Sequence, residues 1–69
     1  MKMNLKWRNR FSGEEGYVGK VSRKDGCFYA TFDAKNAKTY ISQSGVAKDL
    51  EFLASIGENT NNEFFTVEV

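Results

Sequence analysis

Apolar and polar residues alternate with a period of two near the start of the chain. Leu5, Trp7 and Phe11 share one parity, and Lys6, Arg8 and Arg10 share the other. In an extended strand this gives one apolar face and one basic face. The pattern predicts a first strand over residues 3–11. SGEEG, residues 12–16, follows as a turn, where glycine tolerates positive φ. A second strand is expected over residues 17–23. Asp25-Gly26 lies between two β-type runs and marks a hairpin. The third strand is CFYATF, with Phe28, Ala30 and Phe32 on one face and Cys27, Tyr29 and Thr31 on the other.

The pattern then changes. Asp33 is placed to cap one helical turn over residues 34–38, and Thr39-Tyr40-Ile41 reads as a short connector that packs Tyr40 or Ile41 under the next element. Val46, Leu50 and Leu53 recur at four and three, the spacing of an amphipathic helix. Ser42 or Ser44 offers its N-cap and Gly57 its stop, while Phe52 falls beyond the edge of the apolar stripe, where its ring is expected to be partly exposed. ENTNNE is expected to be a polar loop. FFTVEV closes the chain as a strand, with Phe65, Val67 and Val69 on one face and Phe64, Thr66 and Glu68 on the other.

The order is β-β-β-α-β. This predicts an α+β fold: a small antiparallel β-sheet with one helix packed on one face, as a single mini-domain over residues 1–69. Sequential strands tend to pair, which makes the first three a meander. The last strand returns either to an edge or between earlier strands. The chain has no proline, a common guard of edge strands.

Composition narrows the chemistry. A chain of 69 residues buries only about 60% of its unfolded surface, so large side chains must supply the stability. Six Phe, three Tyr and one Trp do so. One cysteine, Cys27, allows no internal disulfide, and the absence of histidine removes Cys/His zinc sites and Ser/His or Cys/His nucleophilic pairs. Cys27 reads as a half-buried small residue at a strand start. Glu14-Glu15 sits in a turn without the cleft that paired carboxylates need. Gly13 and Gly16 have a G-x-x-G spacing, but they join strands and enclose two glutamates that repel phosphate. No nucleotide loop or calcium-loop spacing appears. The expectation is a non-enzymatic protein with no cofactor and no small-molecule substrate. With a lone thiol, no signal peptide and no apolar run of about 18 residues, it is expected in the cytoplasm rather than in a membrane.

Charge adds one candidate surface. Residues 1–24 carry seven Lys/Arg against two Glu, a balance of +5, and residues 25–69 carry three Lys against seven Asp/Glu, a balance of −4. On a strand, Lys6, Arg8 and Arg10 project at intervals of about 7 Å, twice the rise per residue. Lys20 is a neighbour, with Tyr17 and Tyr29 as adjoining aromatic surfaces. These six residues form the proposed partner-binding face. Lys and Arg are also ordinary residues on the wet side of a one-helix sheet. A protein partner or a copy of the chain is the expected ligand. The alternatives are single-stranded nucleic acid on the same face, or a role as a structural or assembly subunit.

From Thr31 onward, TFDAKNAKTYISQSGVAKDLEFL and the closing FFTVEV resemble small proteins of Gram-positive bacteriophages and prophages. The matching residues are Phe32, Asp33, Ala37, Lys38, Tyr40, Ala47, Leu50, Phe65, Val67 and Val69. The resemblance implies an α+β mini-domain of phage or prophage origin. It implies no activity.

Overall fold

Alternation places Met3, Leu5 and Trp7 on one side of the first strand, and all three are buried. In the computed structural model, which describes residues 2–69, this strand, β1 (Met3–Asn9), is the centre of an antiparallel sheet. Next come β2 (Glu15–Ser22), β3 (Cys27–Thr31), a 3-10 turn (Ala34–Asn36), β4 (Thr39–Tyr40), α1 (Gln43–Ser55), α2 (Glu58–Asn61) and β5 (Asn62–Glu68). The fold is α+β, with one main helix against the sheet. No helix among the described residues is long and apolar enough to cross a membrane.

β5 pairs with β1 along its whole length, from Met3↔Glu68 to Asn9↔Asn62. The other side of β1 is shared. β2 pairs over Lys6–Arg8, and β4 pairs at Met3 and Asn4. The reason lies at Gly19. The pairing of β2 with β1 ends at Tyr17, and a register shift in its pairing with β3 follows between Val18 and Lys20, a bulge that bends the strand. Residues 36–40 fill the gap, and the Lys38 N–H donates to the Val18 carbonyl at 3.0 Å. A side chain at Gly19 would stand 3.2 Å from the Tyr29 carbonyl oxygen and 3.4 Å from that of Asn36.

The sheet curls around the core. β3 and β5 are separated by β2 and β1, and a flat sheet would hold them about 14 Å apart. Yet the Phe28 and Phe64 rings meet edge to face, with centroids 5.6 Å apart. Val18 and Tyr40 join the β1 residues in the core, and Val46 and Leu53 of α1 close it from below. The Ser42 side chain caps α1 by accepting the Gly45 N–H, and Gly57 follows the helix at φ +82°.

Several expectations change in detail. β1 stops at Asn9, and Phe11 is 80% exposed instead of lying on the apolar face. The cause is local: the Asn9 side chain accepts the N–H groups of Phe11 and Ser12, both at 2.9 Å, and turns the chain. Of Phe28, Ala30 and Phe32, only Phe28 packs on the core. Phe32 lies outside it and meets Trp7 edge to face, with ring centroids 5.8 Å apart. The Asp25-Gly26 hairpin has a four-residue loop, with Gly26 at φ +69° donating to the Ser22 carbonyl. Tyr40, not Ile41, goes under the helix. Of the ENTNNE segment, Glu58–Asn61 winds into the single turn of α2 after Gly57, and Asn62 and Glu63 already belong to β5.

The indole of Trp7 packs directly against Gly16. A Cβ on Gly16 would come within 2.9 Å of the indole Cζ2 and 3.1 Å of the Thr31 carbonyl oxygen. The contact sits between backbone and a buried ring, so neither side gives way cheaply. Gly16→Ala is therefore expected to cost about 1–3 kcal/mol of stability by overpacking, read as a lowered urea midpoint. Gly13→Ala is a poor comparison because of its positive φ. Ala30→Gly, at an exposed strand position, is expected to cost only about 0.5–1 kcal/mol.

Candidate functional site

The helix covers one face of the sheet, and the register assembles the other. Three rows run across the strands. Glu15, Arg8 and Glu63 form one, Tyr17, Lys6 and Phe65 the next, and Thr39, Asn4 and Val67 the third. Lys20 and Tyr29 pair further along β2 and β3. A regular strand would turn Lys20 to the same side as buried Val18. The bulge at Gly19 restores it to the side of Tyr17.

Five of the six expected residues thus share the outer, convex face: Lys6, Arg8, Tyr17, Lys20 and Tyr29. Arg10 does not belong to it in the same way. It lies beyond the end of β1, where its guanidinium donates to Glu63 at 3.3 Å and to the Asn59 carbonyl at 3.1 Å.

The cations are not bare. Lys6 and Arg8 both hold Glu15, at 3.2 and 3.0 Å. The Arg8 guanidinium first, and then the Lys6 ammonium, keep the Glu15 carboxyl below the usual carboxylate range. The Lys6 ammonium also stands 5.1 Å from the centroid of the Tyr17 ring and 5.8 Å from that of Phe65. Arg8 lies over Phe65 at 5.2 Å. Such contacts contribute about 0.5–1 kcal/mol each when exposed. Lys20 lies 5.8 Å from the centroid of the Tyr29 ring and has no carboxylate partner among the described residues. The Tyr29 hydroxyl donates to Asp25, which, with a smaller contribution from Cys27, pushes it up to about 12. The face is therefore a mosaic of half-buried rings and partly neutralised cations.

A second feature lies between α1 and β4. A groove of about 700 Å³ is lined by Arg23, Lys38, Tyr40, Ile41, Lys48 and Phe52, among others, with Asp49 at its floor. Asp49 is buried, yet it accepts from Arg23 at 3.0 Å, from Lys38 at 2.7 Å and from the Tyr40 hydroxyl. Burial alone would raise the Asp49 carboxyl. The hydrogen bonds from Lys38, Tyr40 and Arg23, with the Lys38 charge, outweigh burial and hold it below the usual range. Burial first, and then Asp49, push the Tyr40 hydroxyl well above its ordinary value. Neither group is a proton acceptor or donor poised near neutral pH. Ile41 stands at the rim, 79% exposed.

Sequence reasoning misses this cluster. One signal is present: Asp49 lies on the Val46–Leu53 stripe, three residues after one and four before the other, where a charge needs partners. Its partners come from the β2–β3 hairpin and the connector, so only the tertiary fold names them. Compared with known proteins, the chain matches no family model, no curated protein sequence and no solved structure.

Proposed function

We propose that this chain is a non-enzymatic binding module, a bacteriophage or prophage accessory protein whose outer sheet face docks on another protein. One observation carries this: the face away from the helix holds the half-buried rings of Tyr17 and Phe65 around Lys6, with Arg8 and Lys20 beside them. Aromatic and arginine side chains are the groups that anchor protein interfaces. Without histidine, and with Asp49 engaged by three donors, no residue stands out as a general base.

Single-stranded nucleic acid fits the same face less well. Glu15 lies against Lys6 and Arg8, and Glu63 lies by Arg10. A phosphate would have to displace a carboxylate at each. Titration with an unrelated single-stranded oligonucleotide at low salt is expected to show no binding. Binding whose log–log salt slope steepens by about 0.7 per contact would replace the protein reading with the nucleic-acid one.

The surface itself is tested by affinity capture from bacterial lysate. Arg8→Glu/Lys20→Glu changes two exposed side chains and is expected to lose the specific partner while keeping the fold. Lys48→Glu/Ile41→Ser, in the groove, is expected to keep it. The reverse outcome moves the site to the groove.

A further inference from the structure

β5 is an edge strand that leaves a regular row of backbone groups unpaired. It bonds to β1 over seven residues and to no other strand. The Val69 N–H donates to the Lys2 carbonyl, and the Arg10 N–H donates to the Asn61 carbonyl. Along an antiparallel strand, alternate residues direct their backbone groups to opposite sides. The odd-numbered residues of β5 therefore address β1. Phe64, Thr66 and Glu68 present both N–H and C=O to the free side. Asn62 offers its carbonyl there, since its N–H is held by Glu58. Thr66 and Glu68 are exposed, and neither proline nor lysine guards the strand.

We propose that β5 is a homodimerisation edge: two copies pair β5 to β5, antiparallel, about a two-fold axis through Phe65. Register and charge select a second copy as the occupant. With the axis at Phe65, Phe64 and the second copy's Thr66 exchange both of their bonds. The second copy's Glu68 N–H donates to the Asn62 carbonyl, and the two-fold repeats each contact. Moving the pairing by two residues in either direction leaves Asn62 or Glu68 without an opposite residue in the strand. Moving it by one in either direction opposes outward groups with inward ones, and in one of the two directions it also sets Glu63 against Glu68, a like-charge pair that is disfavoured.

In the selected register no carboxylates oppose each other. Glu63 meets Val67, and Glu68 meets Asn62. On the outer face Phe65 meets its own copy, with Lys6 beside each ring, and aromatic cross-strand pairs stabilise a sheet. The two sheets become one. This does not depend on the outer face docking on another protein, because the edge pairs through backbone groups.

The test is mass in solution across concentration, from about 10 μM to about 1 mM, since a small interface is weak. The expected mass rises from that of the 7.8 kDa chain toward twice that value. Thr66→Pro removes an N–H that points away from β1, so it is expected to keep the circular dichroism spectrum and remain monomeric. Phe65→Cys in a Cys27→Ser background places two thiols on the axis. There the Cα separation of about 4.5 Å suits a disulfide, and a mild oxidant is expected to crosslink the pair, while Glu63→Cys stays uncrosslinked. A wild-type mass that never exceeds one chain overturns the proposal. So does a dimer that a folded Thr66→Pro leaves intact. If Thr66→Pro unfolds, the cysteine pair decides: absence of a Phe65→Cys crosslink overturns it.

Discussion

Trp7→Ala is expected to leave too little stability for the domain to fold. Truncating a buried tryptophan costs about 3–5 kcal/mol, and a single core in a chain this small rarely supplies more than about 3–5 kcal/mol. The indole holds specific neighbours in place. It covers Gly16, meets Phe32 edge to face, and donates from Nε1 to the Tyr17 carbonyl at 3.1 Å. It thereby ties β1 to β2 at the end of the sheet that Phe32 covers. Trp7→Phe keeps a ring in place and loses the hydrogen bond, worth about 0.5–1.5 kcal/mol, together with part of the packing. Far-UV circular dichroism against urea checks both, because the substitutions remove the fluorophore. The expected ranking is wild type, then Trp7→Phe, then Trp7→Ala without a folded baseline at ordinary temperature. A folded baseline for Trp7→Ala equal to that of wild type would place the core elsewhere.

Asp49→Ala is the second large effect. Breaking a buried ion pair on one side commonly costs about 3–5 kcal/mol when the other charge stays buried. Here Arg23 and Lys38 are about half and two-fifths exposed at the side chain and can turn to water. The Tyr40 hydroxyl cannot follow them, and a buried donor left without an acceptor costs about 1–3 kcal/mol. Asp49→Ala is therefore expected to lower the urea midpoint strongly, and adding Tyr40→Phe is expected to recover part of the loss.

The same carboxylate gives a pH dependence with a definite sign. Its folded pKa lies below its unfolded value of about 3.9. The stabilisation is thus fully present above about pH 4 and is lost as pH falls further, through the folded pKa. Wild type should lose urea resistance over that acidic range more steeply than Asp49→Asn. Equal slopes would mean that Asp49 is not held in the ionised form by its partners.

The sheet is largely legible in the sequence because alternation is a local signal. Leu5 and Trp7 against Lys6 and Arg8 settle which side of β1 meets the core. Asp25-Gly26 marks the second hairpin, and the Val46, Leu50 and Leu53 spacing marks α1. Legibility fails where a side chain competes with the backbone or where distant segments meet. Asn9 ends β1 two residues early by binding Phe11 and Ser12, which turns Phe11 out. The bulge at Gly19 reverses the parity that would have hidden Lys20. Five of the six expected surface residues do share a face, but that face carries less free charge than the alternation implies. Glu15 reads as a turn residue and Glu63 as part of a loop, yet both sit beside the cations. Phe65 enters the face only through its pairing with Lys6, a register that spans most of the chain.

The aromatic residues offer a direct map of the contact surface, because they divide between sites. Tyr17, Tyr29 and Phe65 lie on the outer face, Tyr40 and Phe52 line the groove, and Phe11 and Phe32 stand at the far end. The most direct measurement is the ring-carbon NMR spectrum of the protein titrated with its captured partner. The expected result is movement of the Tyr17, Tyr29 and Phe65 signals with Tyr40 and Phe52 unmoved. Shifts at Tyr40 and Phe52 while those three stay still would contradict a partner seated on the outer face of the sheet.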